Sequence, residues 1–175
     1  MSGGNRYVLD ANVFIEAHRT YYGFQLCPGF WDALIREHVA KRVCSIDKVR
    51  DELATMHDPL SEWAGKKSHD TFFKKTADKN VSDAFAQMVS WVQHEPQFTP
   101  EAKAEFSSVA DGWVIAYAKA NGLIVVTREE YAPDAKRKVP MPNLCVEFNV
   151  DYCDTFRMLL DFRCQFVLRS RKSKD

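Results

Sequence analysis

The feature that most narrows the fold is a continuous β-prone run, LIVVT at residues 123–127, entered directly from a helix-patterned segment. Residues 111–121 place Val114, Ile115 and Ala118 on one apolar face, and Asn121-Gly122 makes a good helix stop. A strand without polar alternation is buried on both faces, as in a parallel sheet covered by helices. The opening of the chain has the same logic. RYVL at residues 6–9 reads as a buried strand, ends in Asp10, and turns at once into a helical pattern.

Further segments extend the alternation. Phe30, Trp31, Leu34, Ile35 and Val39 recur at helical spacing over residues 30–40, and 43–46 (VCSI) is a short strand. Residues 47–56 predict a helix with Val49 and Leu53 on one face. The pattern weakens over 57–79, where Pro59, Gly65 and paired lysines suggest short helices on a basic excursion. Residues 82–92 are helical again, and Pro96 and Pro100 break the pattern. A charged loop covers 128–142. A strand is expected at 143–148, a helix at 152–161 and an edge strand at 166–168. Strands alternating with helices predict an α/β fold, a three-layer α/β/α sandwich with a mostly parallel central sheet. One domain over residues 1–168 is expected, followed by a basic, frayed tail at 169–175.

Composition sets the outer bounds. The chain has 175 residues, 46% of them hydrophobic and 27% charged, which excludes a disordered chain. The apolar run after the first residues is too short for a signal peptide or membrane span, so a soluble, cytoplasmic protein is expected. Cys27, Cys44, Cys145, Cys153 and Cys164 are odd in number and scattered, the pattern of reduced thiols rather than disulfides or a zinc site. His57 and His69 are not spaced as a metal pair, and no Ser/His/Asp elbow or phosphate-cradling glycine loop occurs. Net charge is zero, which argues against a protein that coats duplexes by bulk charge.

In open parallel sheets, ligands bind at the carboxyl ends of the strands. Asp10 directly follows the first strand, Glu52 lies in the helix after the second, Asp111 starts a helix, and Glu129 follows LIVVT by two residues. Each has an ordinary alternative: Asp10 and Asp111 could cap helices, and Glu52 and Glu129 could be solvated surface. Jointly they could converge on one edge of the sheet. Clustered carboxylates repel one another, and hard divalent cations relieve that repulsion. Such a site suits phosphodiester hydrolysis, where one or two ions, the pair roughly 4 Å apart, activate water and stabilise phosphoryl charge.

The stretches YVLDANVFIEA (7–17), SIDKVRDEL (45–53), ADGWVIAYA (110–118) and VVTREE (125–130) resemble, in order, the four motifs of PIN-domain ribonucleases. Residues 143–168, beginning NLCVEFNVDYCDTF, resemble a PIN-like, VapC-type group that often accompanies toxin–antitoxin genes. The resemblance implies a magnesium- or manganese-dependent endoribonuclease restrained by an antitoxin protein, and a possible homodimer. It implies that Asp10, Glu52, Asp111 and Glu129 are catalytic, metal-binding acids, with Asn12 and Thr127 as polar supports. Glu129 stands where the family usually has Asp, so Glu130 and Asp134 are possible substitutes. Lys66, Lys67, Lys74, Lys75, Arg128, Lys136, Arg137 and Lys138 are candidate phosphate contacts, or else solvated surface. Two other readings are a PIN-fold binding module without catalysis and a phosphatase-like α/β hydrolase. The latter usually has a second Asp where this chain has Asn12.

Overall fold

The computed structural model describes residues 4–168. Its sheet has five strands in the order β3-β2-β1-β4-β5, every neighbouring pair parallel. They are β1 (Tyr7–Leu9), β2 (Val43–Ile46), β3 (Phe73–Lys74), β4 (Ile124–Val126) and β5 (Tyr152–Cys153). The central strand β1 pairs Tyr7 with both Val43 and Ile124, and all its residues are buried. The LIVVT run supplies β4, beside it.

Parallel pairing requires long crossovers, and helices provide them. From β1 the chain passes through α1 (Ala11–Glu16), a π-helical turn (Ala17–Tyr21) and α2 (Pro28–Val39) to β2. Helices α3 (Asp47–Ala54) and α4 (Pro59–Gly65) lead to β3. Then come α5 (Lys79–His94), α6 (Pro100–Ser108) and α7 (Asp111–Asn121) before β4, α8 (Met141–Glu147) before β5, and α9 (Thr155–Asp161) after it. Helix α3 packs on α1, α4, β2 and β3, whereas α7 packs on β1, β2 and β4 and on helices α5, α6 and α8. Two helix groups thus cover the sheet, giving the expected three-layer α/β/α sandwich with a parallel central sheet. Gly122 ends α7 in the left-handed conformation (φ 62°), as the Asn-Gly stop predicts.

Several expectations need correction. Residues 143–148 form no strand; 143–147 belong to α8 and Phe148 ends it, and the helix buries Met141, Leu144 and Cys145 at helical spacing. Pro142 stands in the first turn of α8, where its missing N–H costs nothing. The fifth strand is instead Tyr152–Cys153, and the last helix begins after it, with Asp154 capping through the Arg157 amide at 2.7 Å. Residues 166–168 form no edge strand; the Phe166 ring lies 5.7 Å from that of Tyr22. The edge strand β3 within the basic excursion and helix α6 both escape the sequence pattern. The basic tail 169–175 lies outside the described residues. All five cysteines are free, and Cys44 and Cys145 are buried. No described helix is long and apolar enough to cross a membrane.

Gly112, beside Asp111, is a point of close approach. A Cβ built there would lie 2.7 Å from Phe106 and 2.8 Å from Phe85, atoms of rings that α6 and α5 press onto α7. Overpacking of this kind costs about 1–3 kcal/mol. Gly112→Ala is therefore expected to lower stability by that amount in urea unfolding, whereas Gly65→Ala, with open space around it, should leave it almost unchanged.

Candidate active site

Strand order reverses between β1 and β4: the chain moves from β1 towards β3, then returns to place β4 on the other side of β1. The carboxyl ends of these two strands form the switch point where open α/β sheets bind ligands. Asp10 leaves β1 there with no solvent exposure, and Thr127 leaves β4 almost as deeply buried. Helix α7 runs back across the sheet and brings its first residue, Asp111, to the same edge. Helix α3 leaves the neighbouring strand and brings Glu52.

Asp10 is the innermost group. Its Oδ2 accepts long bonds from Thr127 Oγ1 at 3.4 Å and Asn12 Nδ2 at 3.5 Å. Its Oδ1 is buried with no hydrogen-bond partner. Asp10 precedes α1, yet its side chain caps nothing. Burial first, and then the charge of Asp111, push its carboxyl up to about 8; the Ala11 amide opposes this, and Glu129 and Glu52 add to it. Burial and the Glu129 charge likewise raise Asp111 to about 6, with Lys138 pulling the other way. Burial raises Glu52 as well. The charges of Asp111, Glu129 and Glu52 all act on Asp10, so acids from four separate segments lie near this edge of the sheet.

Glu129 has partners of its own. Its carboxylate accepts from the Met141 amide at 2.7 Å and pairs with the Lys138 ammonium. Its amide donates to Thr127 Oγ1 at 3.2 Å. Burial alone would lower the Lys138 ammonium, but Glu129, Asp111 and Asp10 raise it overall. Glu130 and Asp134 are exposed, so Glu129 is the carboxylate of this loop that faces Asp10 and Asp111. Asp10, Glu52, Asp111 and Glu129 are the carboxylates brought to this edge, and Asp10 Oδ1 is the buried oxygen among them with no partner. Among the described residues no three His, Cys, Asp or Glu side chains already stand as a ready metal-ligand set.

Glu52 and Asp111 line a cleft of 650 Å³ between α3 and the α6–α7 corner, with Lys138 at its margin. The other basic candidates are more scattered. Arg128 pairs with Glu16 at 2.5 Å and lies over the Phe156 ring. Lys74 lines a separate cavity with Arg6 and Arg42. Lys66, Lys67, Lys75, Lys136 and Arg137 are exposed, and none lines the cleft. Lys48 and Trp113 do line it, although the sequence reading assigns neither a role; both lie within quoted motifs, at positions that no carboxylate pattern marks.

The model of a family described as a domain of unknown function, DUF4411, matches residues 7–166. This chain belongs to the DUF4411 family. All four acids of the DUF4411 chain lie within the matched span, as do Thr127 and the cleft. No curated protein matches it. Among solved structures it is similar to FitAcB from Neisseria gonorrhoeae, at 21% identity over 83% of this chain and 95% of that one. The TM-score is 0.48, a likeness too loose to speak for activity.

The buried Asp10 carries a stability signature. An unfolded Asp ionises near 4 and the folded one at about 8, so over that window the native state holds a proton that the unfolded chain has lost. Stability therefore falls as pH rises from about 4 to about 8. Asp10→Asn removes this cost. With excess chelator, its Tm should exceed the parent's by about 5 °C near pH 8.5, and by less near pH 5. Identical pH profiles for both chains would show that Asp10 does not ionise at the expense of folding.

Proposed function

We propose that this chain is a metal-dependent endoribonuclease, a hydrolase that cuts RNA phosphodiester bonds with magnesium or manganese. The observation that carries the reading is the wholly buried Asp10, one oxygen unpartnered, under the fields of three carboxylates at the sheet's switch point. Burying an acid in this way disfavours its ionised form, and a cation offsets the cost. When bound, a divalent ion supplies positive charge for a phosphoryl oxygen and lowers the pKa of water. Asp10 and Asp111 would hold it from the ends of β1 and α7, and Glu52 from α3. Thr127 and Asn12 orient Asp10 through Oδ2, which leaves Oδ1 free to bind. Lys138, which pairs with Glu129 here, would turn from it to a substrate phosphate. The choice of RNA, a toxin role in the cytoplasm and restraint by an antitoxin follow from the four motifs and the toxin-related resemblance.

One observation favours a second reading, a PIN-fold module that binds RNA or protein without cutting. Glu129 is already satisfied by Lys138 and the Met141 amide, so the fourth acid is not free as it stands.

Cleavage of a mixed RNA pool separates the two. Magnesium or manganese should support cutting, excess chelator should stop it, and Asp10→Asn or Asp111→Asn should lower it by at least about 100-fold, the scale of losing a charge-stabilising group. The folded parent leaving every RNA intact, with a Tm that divalent ions do not move, would establish the binding module instead.

A further inference from the structure

The cleft beside the acids holds an aromatic and a cation that hydrolysis does not use. Trp113 lines it from α7, two residues after Asp111. Phe85 of α5 stacks on the indole, with ring centroids 3.9 Å apart and planes 16° from parallel, and Phe85 itself stacks on Phe106 of α6. The missing Cβ of Gly112 makes room for both phenylalanines. The indole is thus held rigidly, backed by two rings, and yet it is only partly buried.

The opposite wall of the cleft is α3. Lys48 and Glu52 are four residues apart there, on one helix face. The Lys48 ammonium reaches to 4.8 Å from the centre of the Trp113 ring. Asp51, Glu52 and Glu105 also line the cleft, but Lys48 forms no salt bridge with a described residue. A fixed indole beside an ammonium that pairs with no carboxylate of the described residues, at the edge of the acids, matches the needs of a nucleotide: a π surface for the base and a cation for its phosphate.

We propose that Trp113 and Lys48 form a nucleotide platform for single-stranded RNA: an unpaired base stacks on the indole while Lys48 turns to the flanking phosphate. The proposal rests on the ribonuclease reading for what lies next to the base, namely the phosphate held at Asp10 and Asp111. A base must be unpaired to reach the indole, so the platform selects single strands and loops over duplex. Stacking tolerates any base, so the platform favours exposed nucleotides without reading a long sequence.

The test is fluorescence anisotropy with a 5′-fluorescein-labelled, single-stranded RNA dodecamer in magnesium, using Asp10→Asn protein so that the probe stays intact. In that background Trp113→Leu should weaken Kd about tenfold, within the range for losing one base–aromatic stack. Trp113→Phe, which keeps a ring, should stay within about threefold of the protein that retains Trp113. Lys48→Met should weaken Kd and reduce the salt dependence by about one phosphate contact. Affinity for the same sequence as a duplex should be unchanged by either substitution of Trp113.

Single-strand affinity that neither Trp113→Phe nor Trp113→Leu alters would overturn the platform, as would a folded protein that binds no single-stranded RNA. The second result would assign the cleft to a segment of protein. Metal-dependent cutting by the parent with no effect of Trp113→Leu on binding would remove the platform alone. Trp113-dependent binding by a parent that never cuts would remove the ribonuclease reading and leave the platform standing.

Discussion

Asp10 ends the central strand of the sheet with its carboxylate out of water, and most of the structure is arranged around that placement. Its strand is flanked by β2 and β4, so both backbone edges are paired and the residue after Leu9 has little freedom to move. The Asp10 amide donates to Val126 O at 3.1 Å, which joins the ends of β1 and β4 at the switch point. Ser45 Oγ secures the other side by donating to Leu9 O at 2.7 Å. The backbone is satisfied on both flanks while one side-chain oxygen is left without a partner. Buried polar groups are nearly always paired, which sets this oxygen apart from the satisfied backbone around it.

The helices carry the remaining acids to this point by two different routes. Helix α3 starts directly where β2 ends, and Asp47 in its first turn accepts from Thr76 Oγ1 at 2.8 Å and the Thr76 amide at 3.2 Å. Asp47 thus fixes the segment that follows β3, and Glu52 comes to the cleft further along the same helix. Helix α7 crosses three strands and is pinned from outside by the Phe85 and Phe106 rings. The same packing sets Asp111 and Trp113 in one rigid piece, so acid and indole keep a fixed relation.

Legibility in the sequence followed the strength of the local pattern. Strand Val43–Ile46 and helix Asp111–Asn121 are readable to the residue, because a short β-prone run and an Asn-Gly stop are local signals. Strands β3 and β5 have two residues each and exist through pairing with neighbours distant in the chain. The run NLCVEF is apolar enough to read as a strand, but it buries the adjacent Leu144 and Cys145 rather than alternate residues, and Pro140 and Pro142 are the cue to a helix start. For the site, a carboxylate just after a strand was legible for Asp10, since topology alone sends it to the ligand edge. The choice of Glu129 over Glu130 and Asp134 was not, because it depends on how a proline-broken loop folds back on Met141 and Lys138. Trp113 was hidden for another reason: an aromatic on an amphipathic helix reads as core until its neighbours are seen.

The bond pair at Glu129 ties the loop to the cluster. One carboxylate oxygen meets Lys138 and the other the Met141 amide, so a single side chain closes the chain between residues 129 and 141 upon itself. Anything that takes this carboxylate for its own coordination competes with that closure. If the acids were filled through Glu129, order in the loop and occupancy of the acids would each bias the other by the same free energy. Under the proposed function, a cation held at the acids would compete with Lys138 for the same negative charge and would leave its ammonium without that partner. The loop would thus hand a positive charge to an incoming polyanion only after the acids have been filled.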